Sequence, residues 1–236
     1  MAERILAIIP ARGGSKGLPG KHLLKIGEQT LVERAVLCAA ECTSLSRLVV
    51  STDDQAIADE AQYHGAEVPF MRPAELATDT ASTWDVIKHA VGHCEREEGE
   101  KYDAIVLLQP TSPLRQASDV EGAIQLWRDK RPPSVVSVCE SDKPMAWMLT
   151  LDEKLKIRRF DFRADLTRSR QDFAKCYRFN GAVYVYSRAV IDTSSSGVEP
   201  ETLGFEMPKW RSVDIDTLAD LIVAEAFWQN REQLEA

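Results

Sequence analysis

The sequence of 236 residues predicts an α/β protein with a mostly parallel sheet and helices on both of its faces. Short apolar, β-branched runs alternate with amphipathic stretches of about a dozen residues, the pattern of βαβ units whose right-handed crossovers set strands side by side in parallel. The run "DAIVLLQ" is apolar almost throughout, as a strand covered on both faces must be. At 44% hydrophobic and 28% charged, a chain of this length can bury a full core.

The elements follow in order. "RILAII" reads as a first strand, and "TLVERAVLCAAEC" sets Leu31, Ala35, Cys38, Ala39 and Cys42 on one helical stripe. "RLVVST" is a second strand. It leads into the helix "DDQAIADEAQYHG", which Asp53 or Asp54 caps and Gly65 ends. The helical patterns "STWDVIKHAVGHCERE" and "SDVEGAIQLWRDK" flank the strand "DAIVLLQ", and "SVVSV" is a further strand. From 140 to 177 the alternation fails and the segment reads as an excursion from the sheet; "NGAVYVYS" then resumes as strand. "DIDTLADLIVAEAFWQNREQ" is a closing helix with its N-cap at Asp214 or Asp216 and a stripe of Leu218, Leu221, Ile222 and Ala226. The expected architecture is a Rossmann-like three-layer sandwich, one domain over 1–236 with the excursion at 140–177.

A net charge of −8 argues against nucleic acid as a partner, because binding a phosphate backbone takes a surplus of clustered Lys and Arg. No apolar run approaches the roughly 18 residues of a membrane span, so a soluble, unsecreted protein with no membrane partner is expected. Cys38, Cys42, Cys94, Cys139 and Cys176 are odd in number and form no CxxC pair, which fits structural thiols in a reducing cytoplasm. His64, His89 and His93 sit on helical patterns without metal spacing.

The stretch "PARGGSKGLPGKH" at 10–22 follows the first strand, where open parallel sheets bind phosphates. It is neither of the familiar phosphate loops. GxxxxGK[ST] fails because Ser15 stands for its first glycine and His22 for its hydroxyl, and GxGxxG is absent. What remains is a glycine-rich loop carrying Arg12, Lys16 and Lys21, suited to a triphosphate; a solvated surface loop is the alternative. Asp214 and Asp216, at i and i+2 on an extended segment, point the same way and can share one Mg²⁺, unless they only cap the helix. "DIDTL" is not the DxDxT phosphatase nucleophile, since Leu218 replaces its threonine. Within the excursion, Trp147, Met148, Phe160 and Phe162 alternate with Arg158, Arg159, Arg163, Arg168 and Arg170, the composition of a subunit interface, so a two-fold homodimer is expected.

"IIPARGGSKGLPGK", "RLVVSTDD", "RPAELATDTAS", "LLQPTSPLR", "RFNGAVYV" and "VDIDT" together resemble, in order, the motif blocks of the acylneuraminate cytidylyltransferase family, also called CMP-sialic acid synthetases. The likeness covers about residues 4 to 225. It implies transfer of CMP from CTP to the anomeric hydroxyl of a nonulosonic α-keto acid sugar with release of pyrophosphate. By this resemblance Ala11, Arg12, Gly13, Ser15, Lys16, Lys21 and His22 hold the triphosphate, Arg72, Ala81 and Ser82 the cytosine, and Asp214 and Asp216 the metal, with Arg12, Lys21 and Asp214 catalytic. Gln109, Thr111, Ser112, Arg115, Arg170, Arg178 and Asn180 are assigned to the sugar, and Phe179 or Phe205 to an acyl group. The chain departs from the family's usual pattern at His22, where asparagine is common, and at Met145, Ala146 and Trp147, where many sialic-acid enzymes carry a lysine. A legionaminic or pseudaminic acid acceptor therefore stays open, as do the Kdo branch and a non-catalytic nucleotide-binding protein.

Overall fold

The computed structural model describes residues 3–15 and 17–235. Strand β1 (Ile5–Pro10) leads through the glycine-rich loop into a short hairpin, β2 (Lys25–Ile26) and β3 (Gln29–Thr30), and then helix α1 (Leu31–Ala40). There follow β4 (Arg47–Ser51), α2 (Gln55–Tyr63), α3 (Thr83–Glu98), β5 (Ala104–Leu107), α4 (Ala117–Lys130) and β6 (Ser134–Glu140). A second hairpin, β7 (Leu149–Leu151) and β8 (Ile157–Arg159), precedes the long strand β9 (Tyr177–Ser187). The chain closes with α5 (Arg188–Thr193), β10 (Leu203–Glu206), α6 (Leu218–Gln229) and α7 (Arg231–Glu235).

The sheet order is β10-β6-β9-β5-β1-β4, parallel except for β9, which runs antiparallel to both β5 and β6. The α/β sandwich is as the sequence predicts. Alternation along β1 shows why it has three layers: Ile5, Ala7 and Ile9 face the side covered by α1, α2 and α4, and Leu6 and Ile8 face the side covered by α3 and α5. Successive side chains of a strand point to opposite faces, so a fully apolar strand requires cover on both. No helix among the described residues is long and apolar enough to cross a membrane.

Local chemistry fixes the helix starts. Thr30 and Glu33 form a capping box at α1, and Asp54, not Asp53, caps α2 by accepting from the amides of Ala56 and Ile57. The last helix differs from expectation. Its cap is Thr217, paired with Asp220, and not Asp214 or Asp216. Its inward face is Leu221, Ala224, Phe227 and Trp228, packed over Ile26 and Leu31, whereas Leu218 and Ile222 are 60% and 62% exposed. Both aspartates are thereby released from a capping role.

The excursion leaves the main sheet after Glu140 and rejoins it at Tyr177, the two ends pairing between β6 and β9, and carries a β7–β8 hairpin flanked by 3₁₀ turns at Met145–Trp147 and Arg170–Asp172. Its large apolar side chains are solvent-facing: Ile157 is 62%, Phe160 63% and Phe162 74% exposed. All five cysteines are free thiols, and burial pushes the Cys42 thiol up to about 12.

Candidate active site

A cavity of about 330 Å³ opens between the glycine-rich loop, the 72–83 segment, the turn after β5 and the Asp214–Asp216 strip. It sits beyond the carboxyl ends of β1, β4 and β5, the crevice where open parallel sheets take ligands.

The loop is built onto the sheet before it departs from it. The buried Ala11 donates its amide to the Ser51 carbonyl at 3.0 Å, continuing the β1–β4 ladder, and the Gly13 amide donates to Asp53 Oδ1 at 3.0 Å. Gly17 lies against the Asp214–Asp216 strip, where a Cβ would come 2.6 Å from the carbonyl oxygen of Asp216. Only glycine permits that approach. Arg12 meets Asp79 at 2.8 Å, and Lys21 Nζ meets Asp216 Oδ1 at 3.0 Å while donating to the Ile215 carbonyl at 3.1 Å. Ser15 lines a smaller cavity between the loop and residues 77–79. Lys16 lies outside the described residues.

His22 is a buried part of the cavity wall, and burial, reinforced by the cations Lys21, Arg72 and Arg12, lowers its pKa to about 4. The ring is neutral at physiological pH, able to donate and accept but not to act as a fixed cation. Arg72 is also buried: its Nε donates to Ser51 Oγ at 3.1 Å and its Nη2 to the Ser51 carbonyl. Burial pulls its pKa down to about 10, so it keeps its charge at neutral pH. Ala81 lines the same wall. Ser82 instead caps α3, accepting from the Trp84 amide at 3.1 Å.

Asp214 and Asp216 close the floor. Burial raises the pKa of Asp214, and the negative Asp216 adds to this against the opposing pull of the Thr111 hydroxyl and Lys21. Its Oδ1 is buried and has no hydrogen-bond partner in the protein. A buried carboxylate oxygen left unpaired beside a second carboxylate fits a hard divalent cation, which is bound by oxygen.

The expected sugar residues divide. Gln109 and Thr111 line the cavity. Ser112, Arg115 and Asn180 do not: the reversed strand β9 covers the first two, and Asn180, itself on β9, is buried against Ser137 of β6. Ser112 Oγ donates to the Asn180 carbonyl at 2.9 Å, and Arg115 Nη1 donates to the carbonyls of Gln109 at 2.7 Å and Ala182 at 2.8 Å. Asn180 Oδ1 accepts from Ser137 Oγ at 2.5 Å, and its Nδ2 donates to Ser212 Oγ at 2.9 Å. These buried side chains hold the turn after β5 to β9, and so act on the cavity through Gln109. Arg178 Nη2 donates to the Ser212 carbonyl at 3.2 Å, and its charge reaches Asp214. Arg170 is exposed in a different cavity, with Lys143 and Glu140.

A second cavity of about 340 Å³ shares Thr83 and Gln109 with the first and is walled by Trp84, Phe179, Tyr184, Tyr186 and Val198. Phe179 thus faces an annex of aromatic rings with a polar edge at Ser82, Ser195 and Ser196. Phe205 packs instead into the core against Gly122 of α4. Residues the sequence reading did not single out also shape the site: Asp79 on the far wall, Tyr184 in the annex, and Gly181 on β9, whose φ of 72° and lack of a side chain let the backbone pass beneath Gln109. The signal for Gly181 was the Asn-Gly pair inside a strand pattern, a mark of a bulge, and the β6–β9 register does shift there. His64, expected to lack metal spacing, lies 3.7 Å from Glu33 and 3.9 Å from Glu60, outside the cavity wall.

Comparison with known proteins identifies a family and a shared fold. The family profile described as Cytidylyltransferase matches residues 6–224. The N-acylneuraminate cytidylyltransferase of Escherichia coli O18:K1:H7 is 32% identical over 100% of this chain, which spans only 55% of that relative's length. The CMP-N,N'-diacetyllegionaminic acid synthase of Legionella pneumophila is 32% identical over 98% of this chain and 99% of its own. Among solved structures, a CMP:2-keto-3-deoxy-manno-octonic acid synthetase complexed with CTP shares the fold, with a TM-score of 0.70 at 21% identity over 97% of this chain and 100% of that one.

Proposed function

Since this chain belongs to the cytidylyltransferase family, we propose that it transfers CMP from CTP to the anomeric hydroxyl of an acylated nonulosonic α-keto acid sugar, releasing pyrophosphate. One observation carries the reading: a single cavity sets the loop cations Arg12 and Lys21 opposite the carboxylates Asp214 and Asp216, with a buried Asp214 oxygen left unpaired between the walls. Such a cavity is polarised for a ligand that is itself many negative charges plus a metal.

In this reading the cytosine and ribose lie along Arg72, His22 and Ala81, and the triphosphate runs past Arg12, Lys21 and Ser15, with Lys16 a further candidate. Displacement at the α-phosphorus needs little covalent help. The chain's work is to hold the acceptor oxygen in line and to offer Arg12 and Lys21 to the charge that grows on the leaving pyrophosphate. Asp214 and Asp216 would hold Mg²⁺, which supplies charge neutralisation and a template for the phosphate oxygens. Gln109 and Thr111 face the sugar. The aromatic annex beside them gives an N-acyl group an apolar seat, which favours an acylated acceptor over Kdo, a sugar without one.

The test is pyrophosphate release from each of the four ribonucleoside triphosphates with a panel of α-keto acid sugars. Turnover with CTP and an acylated nonulosonic acid, exceeding that with Kdo, is expected; no release with any acceptor would leave only a nucleotide-binding protein.

The exposed apolar and arginine side chains of the excursion support a homodimer in which Arg170, which does not line the first cavity of its own chain, approaches the partner's sugar carboxylate. Mixing Arg170→Ala with Asp214→Ala chains should then restore part of the activity that each lacks, because some sites combine an intact residue from each chain. The assay is turnover after subunit exchange has been verified by mass. No recovery, or a monomer in sedimentation, returns Arg170 to a surface role.

A further inference from the structure

Both described cations of the glycine-rich loop are already paired with carboxylates of the same cavity, Lys21 with Asp216 and Arg12 with Asp79. The two pairs are not equivalent. Asp216 belongs to the carboxylate floor, where a divalent cation can take it over when Lys21 turns to phosphate. Asp79 comes from the opposite wall, on the segment after the 3₁₀ turn Ala74–Leu76, and no second carboxylate of the cavity wall stands beside it in sequence. Its link to Arg12 bridges the two loops that must both touch a nucleotide, across the smaller cavity lined by Gly14, Ser15 and Thr78. With side chains 28% and 36% exposed, the pair is wet enough to exchange partners at small cost.

We propose that Asp79 is an internal competitor for Arg12: its carboxylate occupies the guanidinium when the cavity is empty, yields it to the phosphates of the incoming nucleotide, and reclaims it as pyrophosphate leaves. This rests on the reading of the cavity as a CTP site. The carboxylate stands in for a phosphate, keeping Arg12 aimed across the cavity without leaving an unneutralised cation. Because substrate and pyrophosphate compete with it alike, it weakens both, which speeds release of product at the expense of affinity.

Calorimetric titration of the full chain with CTP, pyrophosphate and cytidine tests this, for the wild type, Asp79→Asn and Asp79→Ser, with folding checked by circular dichroism. Removal of an exposed ion pair's competition should tighten CTP and pyrophosphate about two- to fivefold and leave cytidine unchanged. In an Arg12→Ala background the same substitution should lose most of this effect, since the proposed coupling runs through that guanidinium. Weaker CTP binding by Asp79→Asn would overturn the proposal and make Asp79 a residue that orients Arg12 for phosphate. An equal shift for cytidine, or a shift that persists in full without Arg12, would overturn it, since the effect would then not run through that guanidinium. A wild-type chain that bound neither CTP nor pyrophosphate would instead remove the functional reading on which the proposal stands.

Discussion

Asp214→Asn should lower turnover by about a hundred- to a thousandfold, the scale expected when one charged contact to a phosphoryl-transfer site is lost, while leaving the fold at least as stable as before. The stability half follows from the sign of the pKa shift. An acid whose pKa is raised by folding contributes stability that is present below its unfolded value and lost as pH rises through its folded value. Burial raises Asp214, so at neutral pH its ionised form opposes folding, and its Oδ1 has no protein partner to lose. The isosteric amide removes that charge. Thermal unfolding without metal should therefore show a Tm equal to or above that of the wild type, whereas the rise in Tm produced by Mg²⁺ with CTP should shrink or vanish. Near-normal turnover at saturating Mg²⁺, or a clearly lower metal-free Tm, would show that Asp214 serves the structure and not the ligand.

The fold was legible wherever burial on both faces dictated composition. β1, β4 and β5 each place side chains in both core clusters, and their apolar runs are what cover above and below requires. The direction of β9 was not legible, since periodicity reports a strand and never its sense, and the reversal depends on where the excursion returns the chain. β10 escaped because an edge strand with half-exposed alternation reads as loop. The face of α6 escaped for the opposite reason: apolar residues surround the helix, so spacing alone could not choose between Leu218 and Ala224, and contact with Ile26 and Leu31 decided.

The site divides along similar lines. Arg12, Lys21, Asp214 and Asp216 were legible because a loop of glycines and cations, and two aspartates on an extended strip, have little packing role to explain them. Arg115, Asn180 and Ser112 carry the same polar chemistry in sequence as Gln109 and Thr111. What separates them is burial: Ser112 and Arg115 donate to backbone carbonyls of β9, and Asn180, itself on β9, turns inward to Ser137. Asp79 was hidden among the small polar residues of "ATDTAS", because spacing along the chain does not show the approach of Arg12 from another loop.

Gly181→Ala should cost at least about a hundredfold in kcat/KM for the acceptor sugar while sparing CTP affinity. The backbone at Gly181 has a φ of 72°, in the left-handed region where a side chain adds about 1–2 kcal/mol of strain. The new methyl would also lie 2.6 Å from Gln109 Oε1, 3.0 Å from Ser112 Oγ and 3.4 Å from Asp214 Oδ2. The nearest of these is the tip of a flexible side chain, which can swing away, so the fold survives with a Tm lower by about 2–8 °C. Yet that tip is the amide that the proposed function turns toward the acceptor, and a displacement of about an ångström at a positioned reactant can cost a hundredfold. CTP binding should hold within about twofold, because Arg12, Lys21 and Arg72 approach from the loop and from the β4 side of the cavity. Steady-state kinetics with varied sugar, beside calorimetry with CTP, separates the two effects. Adding Gln109→Ala to Gly181→Ala should recover part of the lost Tm by vacating the clash but none of the acceptor kinetics, since the group that was displaced is then missing. Recovery of both would mean that Gln109 merely fills space, and that the sugar is held elsewhere.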